Sequence, residues 1–568
     1  MKYLLGLTYG HHESAACLLS ENGTWSYARE EWYSRIKHDH RYPYQAIEEL
    51  IKSFGDHDIE IVAACLHEKP LRTWLGTGFK KGLSIAHYIN KVRQLKQSNF
   101  SLHARLKRDW GISPDKVFFS SHHLSHHLTG MMLSEHTYDN GLVLDGYGEG
   151  HSGARFQGQG AEVSAINLMP VHASVGLMYS AITEWCGYTP ASDEFKVMAL
   201  SAYAKPVHVN WVRQYLLKSD ESGFTLNPEY FNFEDAGQPS FTSEFISRFG
   251  HPVDQSVFED LNSLEAQRAC EVVASFQSAL EDAISEYLQT CGAIALSRDQ
   301  SLLLSGGVFA NTRLVSHLMH LRRDSLTYVS PSPGDAGSAI GAAYYGAQVL
   351  GWDMTPTASA FVGPLLKSLS LYPHLFRPVT DESTTDEWVD QYLSQGEVLP
   401  FFQGIAEIGP RSLGVRSLIC RIDHLAWIHN LNQAVKHREM FRPIAPIMLA
   451  DDPAIIHLEL TASESIACRH MGTLVKAPLN FTHQLPQVEN VMHADRSIRL
   501  QLLSKQDIAD SCLHKSILNL LKKYRVLANT SFNIAGDPTV GTPLDCYINM
   551  RRMNLKYIAA DNIVYQLE

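Results

Sequence analysis

Apolar stretches alternate with glycine-rich and polar turns along this chain, and its N-terminus shows the pattern most clearly. The stretches "YLLGLTY" and "SAACLLS" are predicted strands, and Asn22-Gly23 between apolar stretches is a strong hairpin signal. The first strand runs directly into "GHHES", so histidines and a carboxylate follow a strand end, where α/β enzymes commonly hold their chemistry. A polar turn without chemistry would show the same pattern.

Two later segments combine an apolar strand with a glycine-rich turn. In "GLVLDGYGEG" (141–150) the strand ends at Asp145, and in "SLLLSGGVFANTRL" (301–314) Gly306-Gly307 precede a predicted helix. Glycines let backbone N–H groups approach a phosphate, and a strand-end aspartate can hold a metal or a ribose. Residues 264–288 between them have helical periodicity and predict a core helix.

Four histidines crowd the segment "SSHHLSHHL" (120–128). Two pairs have the i, i+4 spacing that lets side chains on one helix face close on one ion: His122/His126 and His123/His127. Asp335 begins a predicted helix of small residues that can pack closely, and it either caps that helix or adds a third ligand to the 122/126 pair. Two histidines and one carboxylate would suit Fe(II) among other divalent ions. A solvated histidine-rich turn is the alternative.

Residues 69–108 contain ten Lys or Arg and no Asp or Glu, with aromatic residues interleaved. Such a segment could face a phosphorylated partner, including a nucleotide or DNA. The alternative is a solvated helical insertion whose long side chains cover apolar surface.

The composition of the sequence changes after residue 355, where small residues and prolines predict a domain boundary. Beyond it, basic residues lie beside glycine, proline or polar turns: Arg411, Arg416, Lys436, Arg438, Arg442 and Arg499. Several fixed cations suit a polyphosphate, because guanidinium groups bind phosphate oxygens bidentately. Scattered surface arginines would explain any one of them.

The composition narrows the class of protein. A chain of 568 residues predicts two to four domains, and a net charge of −12 argues against a nucleic-acid binder that uses its whole surface. Nine scattered cysteines without a CxxC pair indicate reduced thiols in a cytosolic protein. No signal peptide and no run of ~18 apolar residues is recognisable, so we expect a cytoplasmic protein without a membrane span.

Taken in order, ten motifs spanning essentially the whole chain resemble the NodU/CmcH family of O-carbamoyltransferases. They are "HHES", "REEWYSRIKHDHRYP", "HHLSHH", "LDGYGEG", "DEFKVMAL", "LSGGVFAN", "GDAGSAIGAA", "EIGPRSLGVRS", "KHREMFRPIAP" and "NTSFN". The resemblance implies an α/β protein in which residues 1–355 form a Kae1-like domain of the actin/Hsp70/sugar-kinase (ASKHA) fold. Residues 360–568 would form a YrdC-like domain.

The resemblance also implies an activity and its cofactors. The YrdC-like domain would make carbamoyl-adenylate from carbamoyl phosphate and Mg(II)-bound ATP. The Kae1-like domain, with Fe(II) as the expected metal, would transfer the carbamoyl group to a hydroxyl. The acceptor would be a small molecule, such as a sugar or natural product, or a hydroxymethylated pyrimidine nucleotide or DNA reached through the basic segment 69–108.

Matching motifs assign the site residues. Metal ligands would be His122, His126 and Asp335, while His12 would act as general base and Lys37 would steady a phosphate or carbamoyl oxygen. The residues expected to hold the adenylate in the first domain are Asp145, Gly146, Ser305, Gly306, Gly307 and Asn311. Those expected to bind ATP and carbamoyl phosphate in the second are Arg411, Lys436, Arg438, Arg442, Arg499, Asn529, Ser531 and Asn533.

Some positions depart from the family pattern, and other functions stay open. Glu13 replaces the usual aspartate, and Phe195 and Ala199 replace glycines, so the acceptor cannot be copied from a relative. The alternatives are an enzyme of threonylcarbamoyl transfer to tRNA, a kinase or ATPase of the ASKHA fold, and a nucleotide-sensing module without turnover. The oligomeric state, a homo-oligomer included, is also open.

Overall fold

The computed structural model describes residues 1–10, 12–55, 59–68, 102–158, 162–233, 238–291 and 300–568, which form two compact units. The first unit comprises Met1–Trp25, His40–Pro43 and His57–Ala358, and the second comprises Ser26–Asp39, Tyr44–Asp56 and Ser359–Glu568. Two early segments therefore pack with the second unit, which a single boundary between residues 355 and 360 does not predict. Residues 69–101 of the predicted basic segment lie outside the described residues.

The strands before residue 359 are β1 (Lys2–Thr8), β2 (Ala15–Ser20), β3 (Trp25–Arg29), β4 (Glu60–Leu66), β5 (Val117–Phe119), β6 (Asn140–Gly148), β7 (His151–Gln157), β8 (Ser164–Pro170), β9 (Leu217–Asp220), β10 (Gly223–Leu226), β11 (Leu302–Ser305) and β12 (Thr327–Val329). Two five-stranded sheets have the orders β3-β2-β1-β4-β5 and β8-β7-β6-β11-β12. In each sheet three neighbouring strands are parallel, namely β1, β4 and β5 in one and β6, β11 and β12 in the other. The same order thus occurs twice.

The helices before residue 359 are α1 (Glu31–Ser34), α2 (Tyr44–Ser53), α3 (Leu102–Trp110), α4 (His122–Met132), α5 (Val175–Trp185), α6 (Glu194–Leu200), α7 (Val209–Tyr215), α8 (Ser243–Phe249), α9 (Leu264–Thr290), α10 (Thr312–Leu321) and α11 (Ser338–Leu350). The predicted core helix is confirmed as α9, whose N-terminus is capped by Ser263 accepting from Ala266 N. The predicted hairpin at Asn22-Gly23 is confirmed between β2 and β3, where Gly23 has φ +88°.

Small residues bring α11 into close contact with its neighbours, as the sequence predicts. A Cβ on Gly341 would lie 1.9 Å from Ser125 O of α4, and one on Gly6 of β1 would lie 2.2 Å from Ala339 O. Thr129 Oγ1 donates to Gly337 O at 2.8 Å and accepts from Gly341 N at 3.1 Å. These contacts fix α11 against both α4 and β1.

The later strands are β13 (Phe361–Leu365), β14 (Phe376–Pro378), β15 (Leu399–Phe402), β16 (Ile405–Glu407), β17 (Arg416–Cys420), β18 (Ala445–Leu449), β19 (Val475–Lys476), β20 (Ser497–Ile498), β21 (Gln501–Leu503), β22 (Val526–Ser531), β23 (Tyr557–Ala560) and β24 (Ile563–Leu567). The later helices are α12 (Thr385–Ser394), α13 (Leu425–Asn430), α14 (Ala462–Cys468), α15 (Leu479–Gln484), α16 (Lys505–Ser511), α17 (Lys515–Tyr524) and α18 (Pro543–Arg552).

An eight-stranded mixed sheet of order β14-β24-β23-β15-β17-β22-β18-β21 organises the second unit. Its core is apolar and includes Leu418, Met448, Ala528 and Ile558. The predicted α/β class is therefore confirmed. Among the described helices, none combines the length and apolar composition that crossing a bilayer requires.

Candidate functional site

Parallel strands of the first unit end near side chains that can carry chemistry. The chain that follows β1, β4 and β5 carries, respectively, His12, Glu68 and His122. In the other sheet, Asp145 lies in β6, Ser305 ends β11, and Asp335 follows β12. Because the carboxyl ends of parallel strands meet at one edge of a sheet, this topology gathers chemical groups there.

Four side chains form a cluster that could hold a metal ion: His122, His126, Asp145 and Asp335. One ligand atom from each lies within 4.8 Å of the others. His126 Nε2 is 3.0 Å from Asp145 Oδ2 and 3.3 Å from Asp335 Oδ1. His122 Nε2 is 3.6 Å from the same two oxygens and 3.1 Å from His126 Nε2. Imidazole and carboxylate donors in this number fit a divalent cation.

The electrostatics of the cluster favour a positive charge. Both imidazoles are buried, and burial by itself disfavours their protonation. The neighbouring carboxylates outweigh burial and raise the pKa of His122 and of His126. A bound cation would supply the charge that the carboxylates attract, so the residues present fit a metal.

The second histidine pair is packed into the protein core. His127 stacks on Phe156 with ring centroids 4.7 Å apart, and burial lowers its pKa to about 3. A Cβ on Gly141 would lie 2.2 Å from His127 Nδ1, so the ring packs directly against the backbone of β6. Burial likewise lowers the pKa of His123. His122 and His126 are therefore the pair that faces the carboxylates.

Asp335 is not an N-cap residue, because Gly334 has that position at the turn Asp335–Gly337 and Gly337 has it at α11. The carboxylate that serves this turn belongs to Glu13, whose Oε2 accepts from Ala336 N at 3.1 Å. Glu13 thus helps hold the backbone beside a candidate ligand, a role that its sequence position did not reveal.

Residues predicted to hold an adenylate have varied surroundings. The carboxylate of Asp145 lies in the metal cluster and accepts from Gly146 N at 2.7 Å. Ser305 Oγ donates to His126 O at 2.9 Å, which ties β11 to α4. Gly306 has φ +94°, and a Cβ there would lie 2.2 Å from Leu144 O.

The two remaining members of that predicted set differ from each other. The side chain of Asn311 caps α10 by accepting from Leu314 N at 3.0 Å and donates to Gln277 Oε1 at 2.8 Å. Gly307 lies beside the metal cluster, since a Cβ there would be 3.0 Å from Asp145 Oδ1. Nucleotide contact stays a prediction for both.

The predicted catalytic residues belong to different units. Lys37 lies in the second unit and His12 in the first. His12 Nε2 hydrogen-bonds to Ala191 O, and because a carbonyl can only accept, Nε2 carries the proton. The basic position of the neutral ring is therefore Nδ1. Ala191 has φ +60°, and its N–H donates to Glu194 Oε1 at 2.6 Å.

In the second unit Lys436 joins the predicted loop residues into one group. Its buried Nζ donates to Ser531 O at 2.5 Å, Asn533 O at 2.5 Å and Asn533 Oδ1 at 2.8 Å. Burial and the guanidinium groups of Arg438 and Arg442 hold its pKa well below the usual range. Lys436 thereby shapes the loop that follows β22.

The predicted arginines also lie within electrostatic range of one another. Burial, with the neighbouring Arg442, lowers the pKa of Arg411 to about 10 and that of Arg438 well below its usual range. Burial and the other three arginines lower the pKa of Arg499, whose Nε is buried without a hydrogen-bond partner among the described residues. Glu439 pairs with Arg442 at 3.4 Å. Buried cations in such excess suit a polyanionic ligand.

Arg416, one of the basic residues noted beyond residue 355, and Asn529, expected to bind ATP or carbamoyl phosphate, both bond to neighbouring protein groups. Arg416 forms a buried ion pair with Glu407 at 3.0 Å, and its guanidinium lies 4.1 Å from the Trp32 ring centroid. The amide of Asn529 donates to Ser412 O at 3.0 Å and Gln501 Oε1 at 2.6 Å. Asn529 therefore holds the loop beside Arg411 in place. Glu407 neutralises the charge of Arg416, so Arg416 is less suited to bind a phosphate.

Two acidic residues in or beside the metal cluster were not predicted to lie there. Asp145 was assigned to the adenylate, although a strand-end aspartate can equally hold a metal. Glu68 lies 3.1 Å from His122 Nδ1 through its Oε1. The available signal was "HE" directly after the apolar run "IVAACL", the same strand-end pattern as "GHHES".

Comparison with known proteins gives consistent matches along the chain. Residues 3–344 match the carbamoyltransferase N-terminus family, and residues 390–566 match the carbamoyltransferase C-terminus family. The chain is 28% identical to the uncharacterized protein sll1178 of Synechocystis sp., over 99% of this chain and 96% of that protein. It is 28% identical to the nodulation protein NolNO of Sinorhizobium fredii, over 94% of this chain and 76% of that protein.

Solved structures match more distantly. The activator of the 2-hydroxyisocaproyl-CoA dehydratase from Clostridium difficile is 14% identical over 61% of this chain and 95% of that chain, with a TM-score of 0.31. A score of this size does not assign a fold.

Proposed function

This chain belongs to the carbamoyltransferase family, and we propose that it is an ATP-dependent O-carbamoyltransferase that works through carbamoyl-adenylate. The proposal rests on two features that occur in one chain: four side chains that could hold a cation, and a separate group of arginines in which Arg499 is buried and repelled by three others. The first suits activation of a carbonyl or phosphoryl oxygen, and the second suits the phosphates of ATP and carbamoyl phosphate.

Adenylate formation belongs, in this proposal, to the second unit with a YrdC-like fold. Arg411, Arg438, Arg442 and Arg499 would neutralise phosphate oxygens, which is favourable because these guanidinium groups repel one another without an anion. Lys436 would keep the loop of Ser531 and Asn533 in place beside them. Mg(II) would accompany the ATP.

Transfer belongs to the first unit, whose repeated sheet order supports the expected Kae1-like arrangement. His122, His126, Asp145 and Asp335 would hold a divalent cation, Fe(II) being the expected one, and that cation would supply a Lewis acid for the charge that develops as AMP leaves. His12 Nδ1 would take the proton of the acceptor hydroxyl as its oxygen attacks the carbamoyl carbon. The bond from that carbon to the AMP phosphate oxygen then breaks.

Atom balance fixes the products. One carbamoyl phosphate, one ATP, one water and one acceptor hydroxyl give one carbamate ester, one AMP, one pyrophosphate and one phosphate. We propose a small-molecule hydroxyl, such as one of a sugar or natural product, or a hydroxymethylated pyrimidine as acceptor.

The test compares two variants in two assays. We expect Arg499→Ala to abolish formation of pyrophosphate that depends on carbamoyl phosphate. We expect His126→Ala to retain that step and lose transfer to any acceptor that wild type carbamoylates, found by mass spectrometry across sugars, natural products and hydroxymethylated DNA. Arg377→Ala and His136→Ala, both exposed, are the matched controls. Transfer by His126→Ala at the wild-type rate would contradict the proposal.

A further inference from the structure

We infer that Glu68 is a positioning residue that orients the imidazole of His122 toward a bound divalent cation. The inference rests on the proposed metal function of the cluster and assigns a role to a residue outside it. Glu68 touches His122 on the ring nitrogen that faces away from the other candidate ligands.

The hydrogen bond selects one tautomer of His122. Glu68 Oε1 lies 3.1 Å from His122 Nδ1, and a carboxylate accepts hydrogen bonds, so Nδ1 carries the proton. The lone pair of the neutral ring is then on Nε2, the atom that faces Asp145, Asp335 and His126. A histidine that ligates a metal commonly donates its other N–H to a carboxylate, which fixes the ring and raises its basicity.

The fold holds both partners of this bond in place. Glu68 follows β4, and next to it His67 N donates to Leu7 O at 3.1 Å. The neighbouring strand β5 is tied to the end of β4 by Ser120 N donating to Leu66 O at 2.8 Å. The bond from Glu68 therefore joins two strand ends that are already registered by backbone hydrogen bonds.

The His122 ring is confined on its other sides as well. A Cβ on Gly148 would lie 2.2 Å from His122 Cδ2, and the rings of His67 and His122 have centroids 5.3 Å apart. The backbone N–H of His122 donates to Glu149 Oε2 at 3.3 Å, which fixes the first residue of α4. Glu68 supplies the contact that sets the rotation of the ring.

The two candidate histidine ligands differ in this respect. His126 Nδ1 is buried and has no hydrogen-bond partner in the part of the chain that the structure describes. His122 alone of the pair is oriented by a carboxylate in those residues. Removal of Glu68 would therefore leave neither imidazole with a carboxylate on its far nitrogen.

The test is metal affinity, which does not depend on carbamoyl transfer. The full chain is stripped of metal, and Co(II) binding is measured by visible absorption in competition with a chelator for wild type, Glu68→Ala, Glu68→Gln and Glu149→Gln. We expect Glu68→Ala to weaken Co(II) binding about 10- to 100-fold, the usual effect of losing such a partner. Glu68→Gln should fall between Glu68→Ala and wild type, because its amide oxygen still accepts from Nδ1–H.

Glu149→Gln is the matched control, because it removes a second carboxylate near His122, one that accepts from the backbone N–H of that residue. Equal loss of affinity in Glu149→Gln and Glu68→Ala would overturn the inference, since local charge and not ring orientation would be responsible. Thermal unfolding of each metal-free variant checks its folding, and Glu68→Gln, which has the same shape, decides the matter if Glu68→Ala does not fold.

The outcomes separate the inference from the function on which it rests. If wild type and the Glu68 variants bind Co(II) with equal affinity, the role of Glu68 is overturned but the metal site is supported. Wild type that binds no Co(II) would overturn the metal site itself and the role of Glu68 with it.

Discussion

His126 Nε2 on α4 lies 3.3 Å from Asp335 Oδ1 in the turn that precedes α11. These atoms meet because α4 and α11 are in direct backbone contact at Gly341, which faces Ser125 O. The geometry of the candidate metal cluster thus depends on a helix contact that only glycine permits.

Gly341→Ala should damage both stability and metal binding. The added Cβ would lie 1.9 Å from Ser125 O, so the helices must separate, and overpacking of this kind costs about 1–3 kcal/mol. Thermal unfolding and Co(II) titration measure the two effects. Gly351→Asn is the control at the end of the same helix, where φ is +69° and no atom lies within 4 Å. Unchanged metal affinity in Gly341→Ala would contradict this prediction.

Asp335→Asn should separate the two proposed half-reactions. The substitution keeps the size of the side chain and removes a negative charge that faces both histidines at 3.3–3.6 Å. We expect at least about tenfold weaker binding of a divalent cation and retained formation of pyrophosphate from ATP in the presence of carbamoyl phosphate. Loss of pyrophosphate formation with unchanged metal affinity would show that Asp335 serves a different step.

Arg499→Met should stabilise the unliganded protein and weaken its binding of ATP. Arg499 is repelled by Arg411, Arg438 and Arg442 and has a buried Nε without a hydrogen-bond partner among the described residues. Replacement by an apolar side chain should raise the free energy of unfolding by about 1 kcal/mol, as removal of uncompensated buried charge can. Urea unfolding and ATP titration test this. A destabilised variant with normal ATP affinity would mean that Arg499 is structural.

The burial of His514 should make the stability of the second unit sensitive to acid. It is buried at the N-terminus of α17, where Nδ1 accepts from Ser516 N at 3.2 Å, and burial lowers its pKa to about 4. An unfolded histidine has a pKa of about 6.5, so between these values the unfolded chain binds the extra proton. This contribution to stability is complete above pH 6.5 and is lost as pH falls toward 4, by about 3 kcal/mol in all.

Urea unfolding at pH 7 and pH 4.5 measures that loss. In His514→Asn, which keeps a side chain able to cap the helix, the difference between the two pH values should be smaller than in wild type. An equal difference in both proteins would show that other groups cause the acid sensitivity.

Local patterns predicted much of the fold. The turn at Asn22-Gly23 and the helix Leu264–Thr290 follow from glycine conformation and helical periodicity, which depend on neighbouring residues. The i, i+4 spacing of His122 and His126 similarly made a shared ligand face predictable. The membership of residues 26–39 and 44–56 in the second unit was not predictable in this way, because it depends on contacts between distant parts of the chain.

Glu68 and Arg416 show why contacts between distant residues could not be predicted from local sequence. Glu68 reaches His122 only because β4 and β5 are parallel neighbours, and nothing in the local sequence specifies that pairing. Arg416 resembles the other arginines in sequence, but Glu407 neutralises it across the fold. Charge compensation is a property of tertiary contacts, and it separates a structural arginine from one suited to bind phosphate.

The central claim is best tested by the phosphorus-containing products of the purified chain, identified by ³¹P NMR after incubation with ATP, carbamoyl phosphate, Mg(II), Fe(II) and an acceptor that wild type carbamoylates. We predict AMP, pyrophosphate and phosphate in equal amounts, with AMP formed only when carbamoyl phosphate is present. ADP in place of AMP would contradict carbamoyl-adenylate chemistry and would indicate a kinase or ATPase.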